Sequence, residues 1–217
     1  RDGSHSGVKT IGAYWTLFAG LVPEERVEKF VAHLDNENEF KRTHRIPALS
    51  HDHPDYQPEG GYFCGGVWPQ TNYMVLSGLR KAGYEALAYE IACNHVANLT
   101  EVYQNTGHVY ENYAPESAKP GNPAKADYVG WAGLGPGSVL FEYVFGIISD
   151  AVHHKITWRV NRLEKHGVLR LPLGGSTVDL ICEKRENPEE EPVISVKSKI
   201  PVTVEVIWNG NTKLIES

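Results

Sequence analysis

A mainly α-helical protein built of helical hairpins, followed by a small antiparallel β unit, is what this sequence predicts. Two observations carry that expectation. Apolar residues recur at helical spacing up to Asp150, and beyond it the hydrophobic period changes to two. In addition, long stretches rich in His, Pro, Asp and Gly separate the helical segments, which marks them as loops.

Each element follows from its own pattern. Ile11, Tyr14, Trp15, Phe18 and Val22 form one apolar stripe, and Val27, Phe30, Val31 and Leu34 form the next. Pro23 stands between them, where it ends one helix and begins another. Pro69 opens a third helix carrying Tyr73, Leu76 and Leu79, and Gly83 is its stop. Leu87, Ile91, Leu99 and Val102 mark a fourth helix, and Val139, Leu140, Tyr143, Val144 and Ile147 a buried fifth. After Asp150, Ile156-Trp158-Val160, Val178-Leu180-Cys182 and Val202-Val204-Val206 alternate with polar residues as strands do. Gly174-Gly175 and the acidic run around Glu189–Glu191 are turns or loops between them. The expected boundary is therefore a helical domain over 1–150 and a β accessory domain over 151–217.

Composition narrows the function classes. The 217 residues are 41% hydrophobic with a formal net charge of −6, and no Lys/Arg stripe offers a surface for phosphates, so nucleic acid is not an expected partner. No apolar run approaches the roughly 20 residues that span a bilayer, so no membrane partner is expected either. Cys64, Cys93 and Cys182 are far apart and read as idle thiols. The opening Arg1-Asp2-Gly3-Ser4-His5 reads as mid-sequence text, which leaves the compartment open between cytoplasm, periplasm and secretion.

The chemistry-bearing residues sit on two long loops, 37–67 and 105–133. Structureless loops beyond about 12–15 residues are uncommon and usually functional. The first contains His44-Arg45 and ends in Gly65-Gly66-Val67-Trp68-Pro69. The second contains Tyr110-Glu111-Asn112-Tyr113-Ala114-Pro115-Glu116 and ends at Gly130-Trp131. Aromatic rings, carboxylates and amides gathered on loops suit a sugar, whose apolar faces stack while its hydroxyls bond polar groups. Taken alone, Trp68 reads equally as a plug at a helix start, and Glu111 as a solvated loop acid. His44, His51, Asp52, His53 and Asp55 crowd the first loop, but their spacing matches no zinc motif, and no metal is expected.

The segments Gly65-Gly66-Val67-Trp68-Pro69-Gln70-Thr71-Asn72-Tyr73 and Tyr110–Glu116 resemble the paired signatures of family 63 glycoside hydrolases, the glucosidase I, trehalase-like and mannosylglycerate-hydrolase-like glycosidases. The resemblance covers roughly residues 5–150. It implies a partial (α/α)6 toroid as the fold of that stretch. It also implies inverting hydrolysis of α-linked glucosides or related oligosaccharides, without a cofactor. Glu111 matches the general base, Trp68 a substrate-facing Trp and Tyr113 the Tyr of the second motif. Tyr110, Asn112, Trp131, His44 and Arg45 are assigned as further substrate contacts on the same loops.

The family's acid, an Asp in an earlier loop, has no matching motif here; Glu116, Asp52 and Asp55 stand in other contexts. Five helices against the twelve of a toroid predict the C-terminal part of a longer glycosidase. Its exposed helix faces are then expected to self-associate or to meet a missing N-terminal half. The competing expectation is a non-catalytic carbohydrate-binding or structural remnant of that fold.

Overall fold

The computed structural model describes residues 6–128 and 130–217. The chain divides into two compact units, Arg1–Val139 and Leu140–Ser217.

The first unit holds four α-helices among its described residues: α1 (Trp15–Phe18), α2 (Glu24–Ala32), α3 (Pro69–Lys81) and α4 (Glu85–Thr106). Pro69 occupies the first turn of α3, where its missing N–H costs nothing. Gly107 ends α4 in the left-handed conformation, its N–H bonding Tyr103 O at 2.7 Å. α3 packs against α1 and α4, and Val75, Leu76, Leu79, Ala88 and Ile91 are buried there. Arg45 braces the unit from the first loop. It is 3% exposed, its guanidinium donates to Leu34 O (2.9 Å) and Asp35 Oδ1 (3.0 Å), and it also pairs with Glu90 on α4.

The second unit is two sheets built from seven strands: β1 (Ile147–Asp150), β2 (Lys155–Arg159), β3 (His166–Leu173), β4 (Ser176–Cys182), β5 (Ile194–Ser198), β6 (Thr203–Trp208) and β7 (Asn211–Glu216). One sheet runs β1-β2-β6-β7 and the other β3-β4-β5. The alternating apolar residues form its core, with Ile156, Trp158, Val178, Leu180, Val204 and Val206 fully buried. Buried Arg185 ties loops to this core through the carbonyls of Val160, Arg162, Pro188 and Glu190, at 2.8–3.1 Å.

Four sequence expectations are corrected. The chain is not a mainly α partial toroid of hairpins: 24% of it is strand and 34% helical. The α3–α4 pair is the one long helical hairpin among the described residues. The predicted fifth helix is absent as such. Trp131–Leu134 is a 3₁₀ turn, Gly135–Val144 is π-helical, and Ile147 already pairs with Trp158 in β1–β2. Short apolar runs look alike in buried helices and strands, so periodicity could not separate them. The β unit is also not wholly antiparallel, because β2 and β6 run parallel, Ile156 opposite Val204. Strand direction depends on the long connection between those strands, which alternation does not record.

The first apolar stripe is also rephased. The segment begins as a 3₁₀ turn, Ile11–Tyr14, with three residues per turn rather than 3.6. The buried set is therefore Ile11, Tyr14 and Leu17, each 2–3% exposed, and Trp15 is turned out at 54% exposure.

Candidate active site

A short antiparallel bridge joins the two loops. Val67 N–H bonds Tyr113 O and Tyr113 N–H bonds Val67 O, both at 2.9 Å. Trp68 follows one partner of that bridge and Glu111 lies two residues before the other, so the two signature segments are neighbours. Val67, Leu99, Val102 and Tyr113 form a buried cluster underneath, which anchors the bridge to α4. Gly66 is needed at this crossing. A Cβ there would stand 2.4 Å from Tyr62 O and 3.1 Å from both Asn112 Oδ1 and Trp68 Nε1.

Glu111 is held by the return of its own loop. Its N–H bonds Lys125 O at 3.0 Å, and its Oε1 accepts from Lys125 N–H at 3.1 Å. The side chain is half-buried. One carboxylate oxygen is thereby fixed, and Oε2 has no protein partner among the described residues.

The other expected contacts fall into three groups. Trp68, Asn112 and Tyr113 have no exposed surface. The Trp68 ring lies under Phe63, stacked at 4.6 Å and 11°, with Tyr62 edge-on at 4.7 Å. Asn112 donates to Pro123 O at 3.2 Å and lies so close to Gly121 that a Cβ there would meet its Oδ1 at 1.8 Å. The Tyr113 hydroxyl accepts from Tyr110 N–H at 3.2 Å, and burial pushes its pKa up to about 12. These residues shape the loop crossing from within. Trp131 is accessible at 37% exposure, tilted over Trp68 at 6.3 Å and against Tyr128 at 4.7 Å, and Tyr110 is half-buried. His44 and Arg45 lie in the interior, Arg45 as the brace already described.

His44 belongs to a buried pair that sequence reading missed. Its Nε2 meets His95 Nδ1 of α4 at 3.0 Å, and both rings lie against Tyr113, at 5.6 and 6.3 Å. His44 N–H also bonds Pro115 O at 2.8 Å, so the pair supports the Glu111 loop from below. The available signal was His95 itself, a polar residue in the Ile91-Leu99-Val102 stripe. Burial holds His44 well below the usual histidine range, with His95 adding to it, and holds His95 at about 4.

Both rings are therefore neutral in the folded state, whereas in the unfolded chain they titrate near pH 6.5. The associated stability is present above that pH and is lost as pH falls from 6.5 toward 4. His95 alone is expected to cost about 2 kcal/mol between pH 7 and pH 5. Urea midpoints at the two pH values check this, and His95→Gln should reduce the difference while leaving the part that buried His44 contributes. Equal midpoints for the unmodified chain would contradict the buried neutral pair.

Two of the other loop acids are engaged elsewhere. Glu116 takes Arg42 through Nε (2.7 Å) and a second guanidinium N–H (3.0 Å), and Tyr56 OH at 2.6 Å. Burial pushes its carboxyl up, but Arg42 and Tyr56 outweigh this and its pKa is lowered. Asp52 pairs with Lys9 and accepts from Ser50 Oγ at 2.7 Å. Asp55 is exposed on the loop beside His53 at 3.9 Å. Among the described residues no three His, Cys, Asp or Glu side chains are grouped to hold a metal ion.

Comparison with known proteins relates the chain to glycoside hydrolases. An uncharacterized protein of Borreliella burgdorferi is 24% identical over 188 residues, covering 82% of this chain and 40% of its own. The mannosylglycerate hydrolase of Thermus thermophilus is 30% identical over 95 residues, covering 44% of this chain and 22% of its own. The crystal structure of a GH63 mannosylglycerate hydrolase from Thermus thermophilus in complex with glucose superposes with a TM-score of 0.52 at 23% identity. That match covers 64% of this chain and 30% of that structure, and it is a likeness of fold. This chain thus spans well under half the length of these relatives. The family model for mannosylglycerate hydrolase MGH1-like glycoside hydrolase domains matches residues 1–133, and the chain belongs to that glycoside hydrolase family.

Proposed function

We propose that this chain carries the general base, Glu111, of an inverting glycoside hydrolase acting on α-linked glucosides or related oligosaccharides. The observation that supports it is the setting of Glu111. A carboxylate with one oxygen oriented by a backbone N–H and the other unpartnered, on a loop bridged to the aromatic Trp68 segment, is arranged to take a proton from a water. In an inverting enzyme that water attacks the anomeric carbon from the face opposite the leaving oxygen. A second carboxylic acid, about 6.5–9.5 Å from the base, protonates that oxygen.

Glu116 and Asp52, already bound to Arg42 and Lys9, do not serve as that acid. Among the described residues Asp55 is exposed beside His53 without a hydrogen bond to orient it, and we place the acid in sequence outside these 217 residues, a reading the greater length of the relatives supports. Trp131, and Phe63 above buried Trp68, supply the apolar surface for the sugar ring.

Product stereochemistry tests the mechanism. The complete enzyme, offered α-glucosides and α-mannosides, is expected to release the hydrolysed sugar first as the β-anomer, read by proton NMR before mutarotation; trehalose should give one β-glucose and one α-glucose, because its leaving sugar keeps its configuration. Initial release of the α-anomer from the α-glucosides or α-mannosides would establish retention and overturn Glu111 as the base of a single inverting displacement.

A further inference from the structure

We infer that Glu116, gripped by Arg42 and Tyr56, is the positioning residue of Glu111: this clamp between the two long loops fixes the stretch that carries the base. The inference rests on the general-base reading above and extends it to the residues that hold the base. Glu116 accepts three hydrogen bonds from the first loop. Its Oε1 takes Arg42 Nε at 2.7 Å and the Tyr56 hydroxyl at 2.6 Å, and its Oε2 takes Arg42 Nη2 at 3.0 Å. The remaining guanidinium nitrogen, Nη1, donates to Glu37 O. A planar fork can satisfy both carboxylate oxygens and still reach a carbonyl, which an ammonium cannot. The side chains of Arg42 and Glu116 are 19% and 27% exposed, so this is not one of the solvated ion pairs that contribute little. Tyr56 is itself held, its N–H on His53 O at 3.0 Å and its ring edge-on to His51 at 5.0 Å.

What the clamp holds is a stiff link to the base, because every residue from Glu116 back to Glu111 is pinned. Pro115 O accepts from His44 N–H at 2.8 Å, and Ala114 N–H bonds Lys119 O at 3.0 Å. Tyr113 exchanges two bonds with Val67 at 2.9 Å, and Asn112 O accepts from Gly121 N–H at 3.1 Å. Among the described residues, Tyr113, Pro115 and Glu116 are the positions of this stretch that hydrogen-bond to the first loop. Glu116 alone does so through its side chain. Backbone ties fix where the stretch runs but leave it free to roll about its own axis. A grip on a side chain, off that axis, stops the roll. Rolling would swing the Glu111 carboxylate off the Lys125 N–H that orients it at 3.1 Å. A misplacement of about 1 Å in a catalytic group can cost on the order of 10²-fold in rate.

The test combines the NMR spectrum of the ¹⁵N-labelled full chain with kinetics of the complete enzyme. The Lys125 amide reports the carboxylate directly, because its N–H donates to Glu111 Oε1. Glu116→Gln keeps the side-chain volume and the Tyr56 contact but removes the charge. It should move the Lys125 amide resonance toward the position it takes in Glu111→Ala, where the acceptor is gone. It should also lower kcat by about ten- to a hundredfold, with KM changed less than about twofold. Arg42→Lys preserves the opposite charges, so it should melt closer to the unmodified chain than Glu116→Gln does. It should nonetheless lose as much kcat, because an ammonium cannot hold both oxygens. The double variant should be no slower than the slower single one, as for residues that act as a unit.

Glu111→Gln in the same assay separates this inference from the base assignment. If Glu111→Gln is inactive while Glu116→Gln keeps a normal kcat, the base stands and the clamp is overturned. That holds whether the melting temperature falls or not, since a lowered melting temperature alone would make the Arg42–Glu116 pair structural. If Glu111→Gln turns over normally but Glu116→Gln still moves the Lys125 amide, the base assignment falls and the clamp stands as what orients the carboxylate. An unmoved Lys125 amide in both Glu116→Gln and Arg42→Lys overturns the clamp whatever the kinetics.

Discussion

Glu111→Gln is expected to lower the glycosidase activity of the complete enzyme by about 10²–10⁴-fold, the usual worth of a positioned general base. The substitution isolates proton transfer. Glutamine retains a side-chain oxygen to accept the Lys125 N–H, so the loop closure at 3.1 Å survives and melting should be unchanged. Because the loss is confined to the transition state, it should appear in kcat, with KM nearly constant. A Gln variant that turns over normally would remove the base assignment. One that melts early would show Glu111 to be a loop tie, since the reciprocal pairing with Lys125 is also what a structural acid would make.

Trp68→Ala is expected to destabilise the chain by about 3–5 kcal/mol, as loss of a large buried ring does. The side chain has no exposed surface and carries Phe63 face-on and Tyr62 edge-on. Its removal takes the floor from the aromatic surface as well as filling from the core, and Trp68→Phe should recover part of both. Urea unfolding of the full chain measures the loss. A Trp68→Ala variant with unchanged stability and only a raised KM would make the ring a direct sugar contact instead.

The functional family was legible because its signal is short and local. Gly66, Val67, Trp68 and Pro69 are constrained by a close backbone crossing and a helix start, and Tyr110–Glu116 by one tight loop, so both survive as words in the sequence. The change to period two was equally readable, because alternation in β4 and β6 is imposed residue by residue by the pleat.

What tertiary structure decided is everything that depends on partners distant in the chain. Lys125 orients Glu111 from fourteen positions away. His95 meets His44 from fifty-one, and β6 reaches β2 to pair in parallel. None of these pairings leaves a periodic trace. The expected toroid exceeded what the helices support, since a family motif specifies a loop crossing rather than the helices around it. Trp15 shows the same limit on a smaller scale. Its composition and spacing suit a core stripe, and only the local change from 3.6 to three residues per turn, set by packing of Ile11, Tyr14 and Leu17, turned it outward. Sequence by itself determined the residue types at the site and the strand alternation, because those are local. Side-chain direction, burial and hydrogen-bond partnership came from the fold, because each is a relation between segments that the chain brings together only when it closes.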